Sequence, residues 1–258
     1  VIFDIDGTLA DTERDGHRVA FNRAFAELGL PFEWDDRRYG QLLAVTGGER
    51  RIRWFLERDP EGIALGWSPT KIADVAAAAH RRKTELFASM VDAGVVRPRP
   101  GVRRLLDDLE AGAVTVAVAT TGTASWARRL LDRLFGADRF AAIVTGDDVA
   151  RRKPDPGAYC AVLGELGVEP ARAVAVEDSG PGWQAATAAG LPCVVVANEY
   201  TGPNVPRQAA LGVDGFGEPA APASVIADPF DVCPHGVVDA VVLRRLVSRC
   251  GGGFLPFE

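Results

Sequence analysis

A chain of 258 residues, 47% hydrophobic and 25% charged, has room for one large domain or a core carrying an insertion. A net charge of −6 and a pI near 5.2 argue against an electrostatic nucleic-acid binder, and no apolar run is long enough to span a bilayer. Cys160, Cys193, Cys233 and Cys250 show no Cys-x-x-Cys spacing, so reduced, mostly structural thiols and a cytoplasmic location are expected.

The sequence opens at Val1 rather than at a methionine, so a few native residues are expected before it, and no signal peptide is expected ahead of its first apolar run. The stretch Val1-Ile2-Phe3-Asp4-Ile5-Asp6-Gly7-Thr8-Leu9-Ala10 reads as a short buried strand running into a turn. Carboxylates at i and i+2 lie on one side of an extended segment, and they repel unless a cation or shared proton compensates. A calcium loop would add further oxygen ligands and a late glutamate, but Leu9 and Ala10 follow instead. A magnesium-dependent phosphoryl-transfer site is the favoured reading, given partners downstream.

Next, Asp11-Thr12 resembles a helix start, with Glu13 to Leu28 the body and Gly29 the stop. Phe21, Ala24, Phe25 and Leu28 form its apolar stripe, and steps of four place His17 and Glu13 on the same stripe. Further helices are expected over Gly48 to Leu56 and Pro69 to Val91. In the latter, Lys83 interrupts a face made by Ile72, Val75, Ala76, Ala79, Phe87 and Met90. A snorkelling lysine would explain this, and so would a phosphate site at a domain interface.

From Arg99 onward, strands and helices alternate. Strands are predicted at Val114–Ala119, Ala141–Thr145, Ala173–Val176 and Cys193–Val196; helices at Val102–Glu110, Ser125–Phe135, Pro156–Gly167 and Gly182–Ala189. That alternation implies a doubly wound, mostly parallel α/β sheet. The expected organisation is a core of residues 1–11 and 98–204, an all-helical cap at 12–97 and a C-terminal extension, 205–258, packed on the core. In the extension only one helix, Val237–Ser248, is legible.

Ligands in open parallel sheets bind outside the carboxyl ends of the strands. At those ends stand Asp4 and Asp6, then Thr120 and Thr121, then Glu177 and Asp178, with Lys153-Pro154-Asp155-Pro156 opening a helix between them. Phosphoryl transfer uses that mixture. Oxygen ligands hold Mg²⁺, a carboxylate attacks as nucleophile, a second acid handles the proton, and lysine and hydroxyl donors stabilise the phosphoryl charge. Each signal alone has a bland reading, such as a helix cap for Glu177-Asp178 or a turn hydroxyl for Thr120. Their ordered co-occurrence is what is specific.

Asp4-Ile5-Asp6-Gly7-Thr8, Thr120, Lys153-Pro154-Asp155-Pro156 and Glu177-Asp178-Ser179 resemble the four signature motifs of the haloacid-dehalogenase-like hydrolase superfamily. The resemblance spans residues 1 to about 200 and implies a Rossmann-like core with a small helical cap, as in its β-phosphoglucomutase and phosphatase branch. It implies Asp4 as nucleophile and Asp6 as acid/base. Mg²⁺ would be held by Asp4, the Asp6 carbonyl and Asp178, with Glu177 an additional or water-mediated contact.

Within the cap, Glu13, His17, Tyr39, Thr46-Gly47-Gly48, Arg51-Ile52 and His80-Arg81-Arg82-Lys83 resemble the CbbY-type sugar-bisphosphate phosphatases. That resemblance implies xylulose-1,5-bisphosphate or a related sugar bisphosphate as substrate. Glu13, His17, Tyr39, Gly47, Gly48, Arg51 and Lys83 would bind the sugar or its second phosphate, with Thr121 and Arg152 beside the core motifs. The group's Gly-Gly-Lys-Glu-Arg run reads Gly47-Gly48-Glu49-Arg50-Arg51 here, so Glu49 replaces a lysine. The competing readings are a β-phosphoglucomutase-like phosphotransferase and, from another class, a non-catalytic sugar-phosphate binder. A phosphonatase would need a Schiff-base lysine, and a dehalogenase has no use for Asp6. The partner expected is a small phosphorylated sugar, with no nucleic acid or membrane; the oligomeric state is left open, a monomer being compatible.

Overall fold

The computed structural model describes residues 1–202 and 205–250. Residues 203–204, at the boundary expected between core and extension, and 251–258, at the end of that extension, lie outside the described residues. The chain divides into two compact units: the segment Thr12–Val96, and Val1–Asp11 together with the chain from Arg97.

The described part of Thr12–Val96 is helical. Its predicted first helix is wound in two pitches: a π-helical turn at Glu13–His17, in which the His17 N–H donates to the Thr12 carbonyl at 2.6 Å, leads into α1 (Arg18–Glu27). A second helix, α2 (Asp36–Leu42), was not legible, because Tyr39 and Leu42 are its only buried apolar residues. It is fixed locally by Asp35, whose carboxylate accepts from the Arg38 N–H at 2.6 Å. Then come α3 (Gly48–Arg58), the short α4 (Pro60–Ile63) and α5 (Pro69–Asp92), started by the Ser68 cap and Pro69. Both α1 and α3 pack on α5. Inside the unit Phe21, Phe25, Phe32, Trp34, Tyr39 and Phe55 form an aromatic cluster, with Phe25 edge-on to Trp34 at 4.8 Å.

The other unit contains the strands β1 (Ile2–Phe3), β2 (Ala117–Ala119), β3 (Ala142–Val144), β4 (Ala175–Glu177), β5 (Cys193–Val196), β6 (Leu211–Val213) and β7 (Val225–Ala227). They make one seven-stranded sheet ordered β3-β2-β1-β4-β5-β6-β7, parallel except for β7, which is antiparallel to β6. Strands buried on both faces explain runs such as Cys193-Val194-Val195-Val196. The helices are α6 (Val102–Ala111), α7 (Ala124–Phe135), α8 (Gly157–Leu166), α9 (Gly180–Ala188) and α10 (Ala240–Cys250). This is the doubly wound α/β architecture that the alternation implies.

Two features of this unit place its polar residues. Ile2 stands level with Ala117 on one side and Ala175 on the other, which puts Asp4 beside the ends of β2 and β4. The order also reverses direction beside β1, where a crevice opens in sheets of this kind. Beyond residue 204 the chain builds β6 and β7 and packs α10 on α6. Arg104 donates to the Phe216, Gly217 and Val238 carbonyls, and Asp108 accepts from the Ala240 N–H at 2.7 Å. No described helix is long and apolar enough to cross a membrane.

Candidate active site

Asp4, Lys153, Glu177 and Asp178 converge at the carboxyl ends of β1 and β4, and all four are buried. The Lys153 ammonium donates to Asp4 Oδ1 at 2.6 Å, to Glu177 Oε1 at 2.5 Å and to the Ala119 carbonyl at 2.7 Å. Asp4, Glu177 and Asp178 each offer a carboxylate oxygen, all within 4.8 Å of one another. Asp6, half-buried, lies in the following turn, where Gly7 takes φ +74°.

Burial pushes the Asp4 carboxyl well above its ordinary 3.8; Lys153 opposes this, while Glu177 and Asp6 add to it. Burial by itself would lower the Lys153 ammonium, but Asp4 and Glu177 override it and hold the lysine above its ordinary value. Asp4, Glu177 and Asp178 thus stand close together, with Lys153 bonded to two of them. An all-oxygen donor set of that kind suits a hard divalent cation such as Mg²⁺.

Glu177 is fully buried. Its Oε1 accepts from both Lys153 and the Tyr159 hydroxyl, the latter at 2.6 Å. Gly182 makes room for it, since a Cβ there would stand 1.9 Å from Oε2. Burial first, then Glu177, raises the Tyr159 hydroxyl well above its usual range, so it keeps its proton and donates. Lys153 also stands 5.0 Å over the Tyr159 ring.

Thr120 is buried at the end of β2, where its hydroxyl accepts from the Gly122 N–H at 3.0 Å. Thr121 is half-buried and Arg152 exposed. A Cβ on Gly122 would meet the Trp126 ring at 2.2 Å, so the indole occupies that side of the loop.

Sequence reasoning missed Tyr159, Arg99 and Asn198. Tyr159 sits in an ordinary apolar slot of α8, and Arg99 in what reads as a turn. Asn198 had a signal, because it follows β5 as the other polar residues follow their strands.

Within Thr12–Val96 a second polar group assembles. Lys83, buried, donates to His17 Nδ1 at 3.0 Å and stands 4.9 Å over the Phe21 ring and 5.2 Å over Phe87. Lys83 is therefore buried and does not snorkel to solvent. Tyr39 donates to Glu13 Oε2 and accepts from Arg51 Nη1 at 3.2 Å, while Arg51 Nε donates to the Leu42 and Val45 carbonyls. Arg51 therefore ties α3 to the end of α2 and orients Tyr39. Gly48 packs against His80 and Phe21, where a Cβ would stand 2.6 Å from the His80 ring, and Gly47 takes φ +94°. Glu49 turns to Arg53 at 3.4 Å, with its side chain 44% exposed.

The model of the haloacid dehalogenase-like hydrolase family matches residues 1–190. The plasmid-encoded protein CbbY of Cupriavidus necator is 42% identical over 226 residues, covering 86% of this chain and 87% of that one. A CBBY-like protein of Arabidopsis thaliana is 37% identical, covering 85% of this chain and 69% of its own. Among solved structures, a mutant of CbbY from Rhodobacter sphaeroides in complex with xylulose-(1,5)bisphosphate superposes with a TM-score of 0.72 at 41% identity, covering 83% of this chain and 93% of that one. The motifs, the sheet order and the family match together place this chain in the haloacid dehalogenase-like hydrolase family.

Proposed function

We propose that this hydrolase is a Mg²⁺-dependent phosphatase that removes phosphate from a small sugar bisphosphate, with xylulose-1,5-bisphosphate the leading candidate. The observation that carries the reaction type is the buried Lys153 joining Asp4 and Glu177 beside Asp178. The substrate class is supported by the 41% identical CbbY structure with its sugar bisphosphate and by the polar groups of Thr12–Val96.

In this reading Asp4 attacks phosphorus, the bond from phosphorus to the sugar oxygen breaks, and Asp6 gives its proton to the departing alkoxide. Asp6 then takes a proton from water, whose oxygen attacks the aspartyl-phosphate and releases phosphate and free Asp4. Lys153 and Thr120 hold the phosphoryl oxygens, with Thr121 and Arg152 at the edge of the site. Asp4, the Asp6 carbonyl and Asp178 would hold Mg²⁺, which neutralises the charge of the transferring phosphoryl group. Glu177, with both Lys153 and Tyr159 on one oxygen, contributes mainly as the counter-ion of Lys153. Glu13 and Tyr39 read sugar hydroxyls; His17, Lys83, Arg51 and the Gly47-Gly48 backbone receive the second phosphate. The same proposal places the enzyme in the cytoplasm, consistent with four free cysteines.

The test is a panel of sugar mono- and bisphosphates, including xylulose-1,5-bisphosphate, assayed with Mg²⁺ for both phosphate release and sugar-phosphate products. Stoichiometric free phosphate, highest kcat/KM on a pentulose bisphosphate, is expected. An isomeric sugar phosphate in place of free phosphate would make the enzyme a mutase, and binding without turnover would make it a sensor.

A further inference from the structure

Asn198, just past β5, reaches across to the carboxylate cluster. Its Nδ2 donates to Asp178 Oδ2 at 2.7 Å. Its orientation is not free to reverse. Asn198 Oδ1 accepts from the N–H groups of Tyr200 at 2.9 Å and Thr201 at 3.0 Å, and its own N–H donates to Thr201 Oγ1 at 2.9 Å. A flipped amide would set two donors against those N–H groups and an oxygen against a carboxylate.

The Gly7 backbone closes in beside that contact. A Cβ on Gly7 would stand 2.3 Å from Asp178 Oδ2 and 2.6 Å from Asn198 Nδ2. Both neighbours of Oδ2 are held by one guanidinium. Arg99 Nη1 donates to the Gly7 carbonyl at 2.5 Å and to Val196 at 3.2 Å, and Nη2 donates to Ala197 at 2.8 Å and Asp214 at 3.1 Å. Oδ2 of Asp178 is thus hydrogen-bonded by the Asn198 amide and crowded by the turn after β1.

From this geometry we infer that Asn198 is a positioning residue that makes Asp178 a one-oxygen metal ligand and so favours Mg²⁺ over Ca²⁺, an inference that rests on the proposed Mg²⁺ site. Mg²⁺ demands near-ideal octahedral geometry with short bonds to single oxygens, whereas Ca²⁺ readily takes bidentate carboxylates. An Asp178 whose Oδ2 is hydrogen-bonded by Asn198 and crowded by Gly7 is held in one orientation and presents one oxygen in a fixed direction. Releasing that oxygen lets the carboxylate swing and spread over a larger ion.

The experiment is titration calorimetry of the metal-free full chain with Mg²⁺ and with Ca²⁺, in wild type, N198A and N198D, with thermal melts to confirm folding. Asp at 198 keeps the acceptor for the Tyr200 and Thr201 N–H groups and removes the donor to Asp178. The ratio Kd(Ca²⁺)/Kd(Mg²⁺) should fall at least about tenfold in both variants, in line with the usual effect of losing an outer-shell partner. A folded N198D with the wild-type ratio would show that Asn198 only shapes its loop, and would overturn the inference. A wild type that binds Mg²⁺ no better than Ca²⁺ would overturn it too, leaving the phosphatase reading to the product assay. Absence of any Mg²⁺ binding by wild type would instead remove the metal site of the proposed function, and this inference with it.

Discussion

The two units bury charge by opposite means. In the sheet unit, Lys153 is enclosed by the carboxylates of Asp4 and Glu177 and a carbonyl. In the helical unit, Lys83 and Arg51 are buried against rings: Phe21 faces both cations, at 4.9 Å from Lys83 Nζ and 6.0 Å from the Arg51 guanidinium. Anions make a site that wants a cation and an electrophile. An aromatic face stabilises a cation through its ring quadrupole and adds no formal negative charge. In the proposed function the first arrangement serves the chemistry and the second the recognition of the substrate.

The comparison breaks first at Asp4. Asp4→Asn should lower kcat by on the order of 10⁴-fold or more while the circular dichroism spectrum is unchanged. Full turnover in that variant would show that Asp4 is not the nucleophile.

Lys153→Met leaves Asp4 and Glu177 as buried carboxylates without their cation. The expected cost is about 3–5 kcal/mol in urea unfolding, the usual result of removing one partner from a buried pair. A variant as stable as wild type would mean that the ion pair contributes specificity to the site and no net stability.

For the helical unit, Lys83→Ala should raise KM for a bisphosphate about 10–100-fold, the worth of one charge-assisted hydrogen bond, and leave KM for an aryl monophosphate nearly unchanged. Equal changes on both substrates would show that Lys83 does not read a second phosphate. Phe21→Leu keeps an apolar residue and removes the shared π face together with ring contacts to Phe25, Trp34 and Tyr39. A stability loss of roughly 1–2 kcal/mol is expected beyond that of Phe25→Leu, which lacks a cation partner among the described contacts.

The smallest effect is a pH dependence. Because burial raises the Asp4 carboxyl above 3.8, the protonated form is the one that favours folding. That contribution is complete below the ordinary aspartate range and is lost as pH rises through the elevated value. The melting temperature of the metal-free protein should therefore decline as pH increases through that window, and added Mg²⁺ should flatten the decline. A metal-free melting temperature that rises throughout would mean that other carboxylates outweigh Asp4.

Residues near one another in sequence, or repeating at the period of a helix or strand, announced themselves. The Asp4-x-Asp6 turn, the alternation from Arg99 onward and the interrupted stripe at Lys83 all could be read directly, because each is a local pattern with a local physical cause. Even the rim could be assembled, since parallel strands deliver their C-terminal residues to one edge. Other features exist only through contact between distant segments. No periodicity reports that Tyr159 hydrogen-bonds Glu177, that Arg99 joins the turn after β1 to the ends of β5 and β6, or that Asn198 holds Asp178. Nor could the sequence show α2, whose apolar face is two residues, or the short β6 and β7, whose pairing stabilises them more than their own composition does. The residue types for the reaction are written along the chain; which oxygen of each is crowded, shared or left to a ligand was decided by packing alone.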